Sequence, residues 1–135
     1  MAVTHNSNIP ALIARMEARA ERAVDDTLTD FGRALLAEFQ APKSGRVYVK
    51  AGGRKHQASA PNEPPAIDEA ALAASFEPRR ETAYRAVVMI GGARAPYAVY
   101  LEFGTTKMAQ RPYWSAAIEA VRPAWEARVA GIIAE

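Results

Sequence analysis

From Ile9 to Phe39 the larger apolar residues fall at Ile9, Leu12, Ile13, Met16, Val24, Leu28, Phe31, Leu35 and Phe39, with Ala20 bridging the gap after Met16. Steps of three and four recur throughout, which predicts one amphipathic helix. Ser7 or Asn8 can cap its start with Pro10 in the first turn, and Pro42 followed by Gly45 ends it. The intervening charges, among them Arg15, Glu17, Arg19, Glu21, Arg22, Asp25, Asp26 and Asp30, read as a solvated face. Such a helix spans roughly 45 Å at 1.5 Å per residue, whereas a compact body of this length has a diameter of roughly 35 to 40 Å. Either the helix bends, with Gly32 the candidate, or one end projects and is covered by another subunit.

A second helical stripe occupies the C-terminal end, where Trp114, Ile118, Val121, Trp125, Val129 and Ile132 recur at helical spacing. It predicts a helix from Tyr113 to Ile133, kinked or split by Pro123. Between the two helices the pattern shortens. Asp68 can cap a short helical turn that places Leu72 and Phe76 on one side. Tyr84 to Ile90 and Tyr97 to Phe103 read as strands joined by a turn-rich GGARAP link of hairpin type. In the second of these, Tyr97, Val99, Leu101 and Phe103 share one face and leave Tyr100 and Glu102 on the other. Gly104 then follows at the strand exit, where a positive φ is expected. The expected fold is α+β: a long N-terminal helix and a C-terminal helix packed on a small antiparallel sheet, in one domain covering residues 1–135.

Residues 41–66 interrupt this order with four prolines, three glycines and a single short strand candidate, Arg46 to Lys50. The segment reads as a long, mobile loop, and loops of that length are functional or disordered. Its charge is one-sided: Lys43, Arg46, Lys50, Arg54 and Lys55 occur with no acid between Phe39 and Asn62. The chain carries +2 overall, so without those five cations the remainder is −3. It is a mildly acidic body with a basic arm.

Composition narrows the chemistry. Half of the 135 residues are hydrophobic types, but 30 of them are alanine, which leaves a modest core. There is no cysteine, which excludes a disulfide framework, a thiolate metal site and a cysteine nucleophile. The two histidines, His5 and His56, lie far apart with no ligand spacing, so neither a metal nor another cofactor is expected. No apolar run is long enough for a membrane span and the N-terminus has no signal-peptide pattern, so a soluble protein made in the cytoplasm is expected. Gly52-Gly53 and Gly91-Gly92 lack a phosphate-loop context and read as turns. Ser59 stands three residues after His56, but in a loop with no rigid scaffold to hold a triad. Glu102 is the most interesting acid; with no partner acid in view, an ion pair with Lys107 or Arg111 is a better reading than a general base. The arm, with Tyr48 and His56 among its cations, fits either a nucleic-acid backbone or an acidic patch on a neighbouring protein. A small hydrolase or toxin has the least support.

Three stretches carry a resemblance: APKSGRVY at 41–48, ASAPNEPPAIDEAALAASF at 58–76, and YAVYLEFGTTKMAQRPYWSAA at 97–117. Together they resemble the gene-product-ten family of Hong Kong 97-like tailed phages. The marks of that family are a Glu-Phe-Gly-Thr element followed by an Arg-Pro-aromatic helix start, and a Ser-Ala-Pro-Gly-Glu-Pro-Pro-Ala loop. Here the first is Glu102, Phe103, Gly104 and Thr105, followed by Arg111, Pro112 and Tyr113. The second runs from Ser59 to Ala66 with Asn62 in place of glycine, a mild exchange because Asn tolerates a left-handed turn. Ala71 stands where the family often has glycine, and Trp114 replaces an aliphatic residue. The resemblance implies a non-enzymatic virion protein, assembled in the host cytoplasm into a hexameric ring at the head–tail neck or head-proximal tail end. Its partners would be further copies, neighbouring neck proteins and the tail-tube protein, with passive contact to duplex DNA in the channel and no membrane. The implied subunit interface comprises Tyr97, Tyr100, Glu102, Phe103, Gly104, Thr105, Arg111, Pro112, Tyr113 and Trp114. Lys43, Arg46, Lys50, Arg54 and Lys55 form the arm that meets a partner or DNA.

Overall fold

Two antiparallel helices of unequal length organise the chain. The computed structural model describes residues 8–66 and 70–134. Helix α1 (Ile9–Gln40) runs as one uninterrupted element, with Pro10 in its first turn. Asn8 occupies the N-cap position but makes no side-chain capping bond, while Ser7 and Asp68, the other expected caps, lie outside the described residues. Gly32 faces the Phe76 ring, which a Cβ there would meet at an ordinary contact distance of 3.4 Å. The last helix, named α4 below, spans Trp114–Ile133 and contains Pro123 without being split by it. Arg128 ties it to α1 through Asp30 and the Thr27 hydroxyl.

Between them lie strands β1 (Val47–Val49) and β2 (Lys55–Gln57), a one-turn helix α2 (Ala71–Ala74), strands β3 (Glu77–Thr82) and β4 (Arg85–Met89), a 3-10 turn at Gly92–Arg94, and helix α3 (Ala98–Phe103). The strands form two separate antiparallel ribbons, β1–β2 and β3–β4. In the first, Tyr48 faces His56; in the second, Arg79 faces Val87. The class is α+β, as expected.

Three local expectations are corrected. The run Tyr97 to Phe103 is not a strand: Ala98–Phe103 is helical, with Ala98 and Glu102 buried one turn apart. Seven residues of mixed apolar character fit either period. Because β4 takes β3 as its partner, the 98–103 backbone satisfies its own donors in a helix. GGARAP is accordingly a 3-10 turn and not a hairpin link, and the hairpin partner of β4 is the preceding segment Glu77–Thr82. Finally, the basic segment is not one long loop. It contains the β1–β2 hairpin, turned at Gly52 and Gly53, whose φ values are +84° and +77°.

The core is small and gathered at the C-terminal half of α1. Phe31, Leu35 and Phe39 pack with Leu72, Ala95, Ala98, Tyr113 and Ala117, and Trp114 and Val88 close the sides. Phe31 meets Trp114 edge-on at 5.0 Å between ring centroids, and Phe39 meets Tyr113 at 5.5 Å. Ala95 and Ala117 are fully buried. With so many alanines, close backbone approach takes the place of side-chain volume.

Candidate subunit interface

The Glu-Phe-Gly-Thr element and the Arg-Pro-aromatic helix start are brought together as one structural unit. Gly104 ends α3 with a φ of +76°, as expected, although it leaves a helix and not a strand. A side chain there would place Cβ 2.8 Å from the Gln110 nitrogen and 2.9 Å from the Met108 carbonyl, so glycine is required on two grounds. The chain then turns through Thr105–Met108 and returns beside α3, where Arg111 N–H donates to the Leu101 carbonyl at 2.6 Å.

Glu102 sits at the centre of this unit and is 9% exposed. Its carboxylate accepts the backbone N–H groups of Tyr113 and Trp114, each at 2.9 Å, and of Ser115 at 3.1 Å; it also accepts the Ser115 hydroxyl at 2.7 Å. The expected ion pair with Lys107 or Arg111 is thereby corrected. The start of α4 has N–H groups without helical partners and a positive dipole end, and a buried carboxylate satisfies both. Burial alone would raise the Glu102 pKa, but these hydrogen bonds outweigh it and the net shift is downward. Tyr113 is buried beside it and donates its hydroxyl to the Ala98 carbonyl at 3.0 Å. Burial and the Glu102 charge together push that phenol up to about 12.

Arg111 turns the other way. Its guanidinium donates to the carbonyl and hydroxyl of Ser59, fixing the Pro-rich segment to the α3–α4 unit. Asn62 adopts φ +66° and donates its N–H to the Gln110 carbonyl, so the left-handed position is real. Across the base of the hairpin, Glu63 accepts from Ser44 N–H, the Ser44 hydroxyl and Ala60 N–H. The Ser44 hydroxyl, then these backbone donors, hold its pKa down to about 2.

The ten residues expected at an interface therefore divide. Glu102, Tyr113, Gly104 and Arg111 have work inside the chain, Pro112 is half-buried, and Trp114 packs on Phe31. Tyr97, Tyr100, Phe103 and Thr105 face solvent. Val99, read from the sequence as a strand-face residue but not as part of the interface, joins them, so that α3 presents a ridge whose tip, Phe103, is 76% exposed. Helical spacing would have revealed Val99, since it is one turn from Phe103.

The arm residues divide as well. Lys43 donates to the Glu38 carbonyl at 2.7 Å near the end of α1, and burial lowers its pKa against the pull of Glu63 and Glu38. Arg46 lies over the Tyr48 ring at 5.5 Å. Lys50 and Arg54 flank the hairpin turn, where Lys50 N–H donates to the Arg54 carbonyl, and Lys55 opens β2. Val47, Tyr48 and Val49 are all exposed, although successive strand residues point to opposite faces. Strand β1 thus leaves both of its faces open, whereas His56, opposite Tyr48 on β2, is half-buried.

Among the described residues no group of acids and histidines is arranged to hold a metal, and no helix is long and apolar enough to cross a membrane. Comparison with models of known protein families, with curated proteins and with solved structures finds no match to this chain.

Proposed function

We propose that this chain is a structural virion protein of a tailed phage or gene-transfer particle. It forms a closed ring, hexameric by family analogy, at the head–tail neck or the head-proximal end of the tail, as a tail-completion or tail-terminator component. The observation that carries the reading is the α3 ridge. Val99, Tyr100 and Phe103 on the six-residue helix α3 are 53%, 56% and 76% exposed, and Tyr97 at its N-cap position is 43% exposed. Contiguous apolar surface of this kind marks an interaction site, and aromatic residues supply the anchors of protein interfaces. The ridge is built on the Glu102–Tyr113 unit, the same residues that carry the resemblance to neck and tail proteins. Its partners are further copies of itself, neighbouring neck proteins and the tail-tube protein, and the reading assigns no enzymatic activity and no cofactor.

The hairpin favours a second reading, a nucleic-acid-binding module in which Arg46, Lys50, Arg54 and Lys55 track phosphates. Within the ring reading the same arm latches onto an acidic neighbour. A genetic experiment separates them. Deleting the gene should give filled heads and unjoined tails, restored by the wild-type chain and not by Phe103→Asp. Joined, infectious particles from the deletion would overturn the proposal.

A further inference from the structure

The β1–β2 hairpin is a two-stranded ribbon with an unfinished edge. Lys50 N–H donates to the Arg54 carbonyl and Ala58 N–H to the Arg46 carbonyl, at the two ends of a register that sets Tyr48 opposite His56. Ladder bonds in an antiparallel pair alternate along each strand. Arg46, Tyr48 and Lys50 therefore turn their backbone groups toward β2, whereas Val47 and Val49 turn theirs away from it. Neither valine has a backbone partner outside the ribbon among the described residues. Strand β2 is the inner of the two, since His56 and Ala58 line a hollow with Phe39 and Leu72. Strand β1 is the outer edge, and its Val47, Tyr48 and Val49 side chains are 51%, 48% and 70% exposed. A lone two-stranded ribbon is marginal in water, and an open edge of β-branched and aromatic residues is a template for a further strand.

We infer that β1 is the docking edge for an extended segment of a partner protein, one that carries acids at alternate positions and joins the ribbon as a third strand. The two faces of the edge set that pattern. On one face Tyr48 stands between Arg46, whose guanidinium lies over its ring at 5.5 Å, and Lys50. On the other stand Val47 and Val49, with Lys55 across from Val49 on the inner strand. The sequence has no acid between Phe39 and Asn62 to balance these cations. A strand with acids along the first face and apolar residues along the second matches the edge in charge and in burial. A second copy of β1 does not: an antiparallel pair centred on Tyr48 sets Arg46 directly opposite Lys50, cation against cation. Nucleic acid answers only half of the edge, because phosphate oxygens accept hydrogen bonds and bring neither a donor for the Val47 and Val49 carbonyls nor an apolar group for their side chains. The inference rests on the reading of the arm as a latch on an acidic neighbour, and adds the geometry of the grip and the pattern of the segment gripped.

Amide hydrogen exchange on the full chain tests it, with short capped peptides as probes. One peptide alternates glutamate with valine, one holds the same residues in two blocks, and one alternates lysine with valine. The alternating glutamate peptide alone should bind, and exchange at Val47 and Val49 should slow by roughly tenfold, the upper range of one net backbone hydrogen bond. Tyr48, already in the ladder, should change little. Val49→Pro should lose this binding while sparing the native ribbon, because the N–H it removes faces outward. Should that variant fail to fold, the peptide supplies an independent check: N-methylation of one alternate set of its residues should abolish binding, and of the other set should spare it. If the block peptide binds as well as the alternating one and Val49→Pro keeps both, the inference falls while the latch reading stands. Exchange at Val47 and Val49 that slows with protein concentration alone would overturn it in favour of a second copy. If no acidic peptide binds, the inference falls, and tight binding of duplex DNA by the same chain in about 0.15 M salt would defeat the latch reading as well.

Discussion

The carboxylate of Glu102 holds Ser115 by two bonds, from its backbone N–H at 3.1 Å and from its hydroxyl at 2.7 Å. With Tyr113 and Trp114 donating to the same side chain, one acid on α3 closes the open end of α4 and sets the position of the exposed ridge. Glu102→Ala should cost about 1 to 3 kcal/mol, the usual cost of leaving buried donors unsatisfied, and Glu102→Gln less. Thermal unfolding at pH 7 measures both.

The same side chain makes stability depend on pH. Its folded pKa lies below the unfolded value, so its contribution is complete above about 4.3, the unfolded glutamate range, and is lost as pH falls through the folded value. The stability gap between wild type and Glu102→Gln, followed from pH 7 to pH 3, should therefore narrow in the acid range. A gap that widens on acidification would contradict this assignment.

Gly104 and Gly52 share a positive φ but not the same surroundings. A Cβ at Gly104 strikes backbone at 2.8 Å, whereas at Gly52 it meets nothing within 4 Å. Gly104→Ala should cost more than about 1 kcal/mol, because the left-handed strain is joined by a steric clash, and Gly52→Ala should cost clearly less. Denaturant midpoints of the two variants provide the comparison.

Much of the architecture was legible because its signals are long. Nine apolar positions from Ile9 to Phe39 and six from Trp114 to Ile132 leave no other period open, and β4 and β1 fall within the runs Tyr84–Ile90 and Arg46–Lys50. Strand β3 was hidden because EPRRET is exposed along nearly its whole length and so carries no alternation. Helix α3 was misread because its seven-residue run satisfies both periods. The role of Glu102 was obscured by the turn between it and Tyr113, although an acid upstream of a Pro-aromatic helix start is a usable hint. The tie between Arg111 and Ser59 spans 52 residues and has no local signature. Charge counting found the basic arm but could not tell that Lys43 belongs to the end of α1.

Glu63 should keep its charge far into acid. Its pKa of about 2 means that the clamp between Ser44 and Ala60 persists down to that range and is lost as pH falls through it. Carboxyl carbon shifts followed by NMR should show Glu63 titrating at about 2, well below the ordinary glutamate value of about 4.3. At neutral pH, Glu63→Gln should make trypsin cleavage after Arg46, Lys50 and Arg54 faster than in the wild type.

Neutralising Lys43, Arg46, Lys50, Arg54 and Lys55 should impair assembly and leave little DNA binding to lose. If the arm latches onto an acidic neighbour, wild-type affinity for duplex DNA is already weak near 0.15 M salt, where exposed charges are screened beyond about 8 Å. If it tracks phosphates, affinity is high and falls with salt at roughly 0.9 log units per contact. A salt titration of DNA binding, run beside a tail-joining assay on the neutralised chain, distinguishes them.

The proposed ring is open to native mass spectrometry paired with electron microscopy, on the wild-type chain alone and with a candidate tail-tube protein. The predicted result is a single closed oligomer, present alone or formed on the tube, that dissociates when Phe103 is replaced by Asp. A chain that remains monomeric across concentration and beside the tube protein, while binding duplex DNA tightly in about 0.15 M salt, would contradict it.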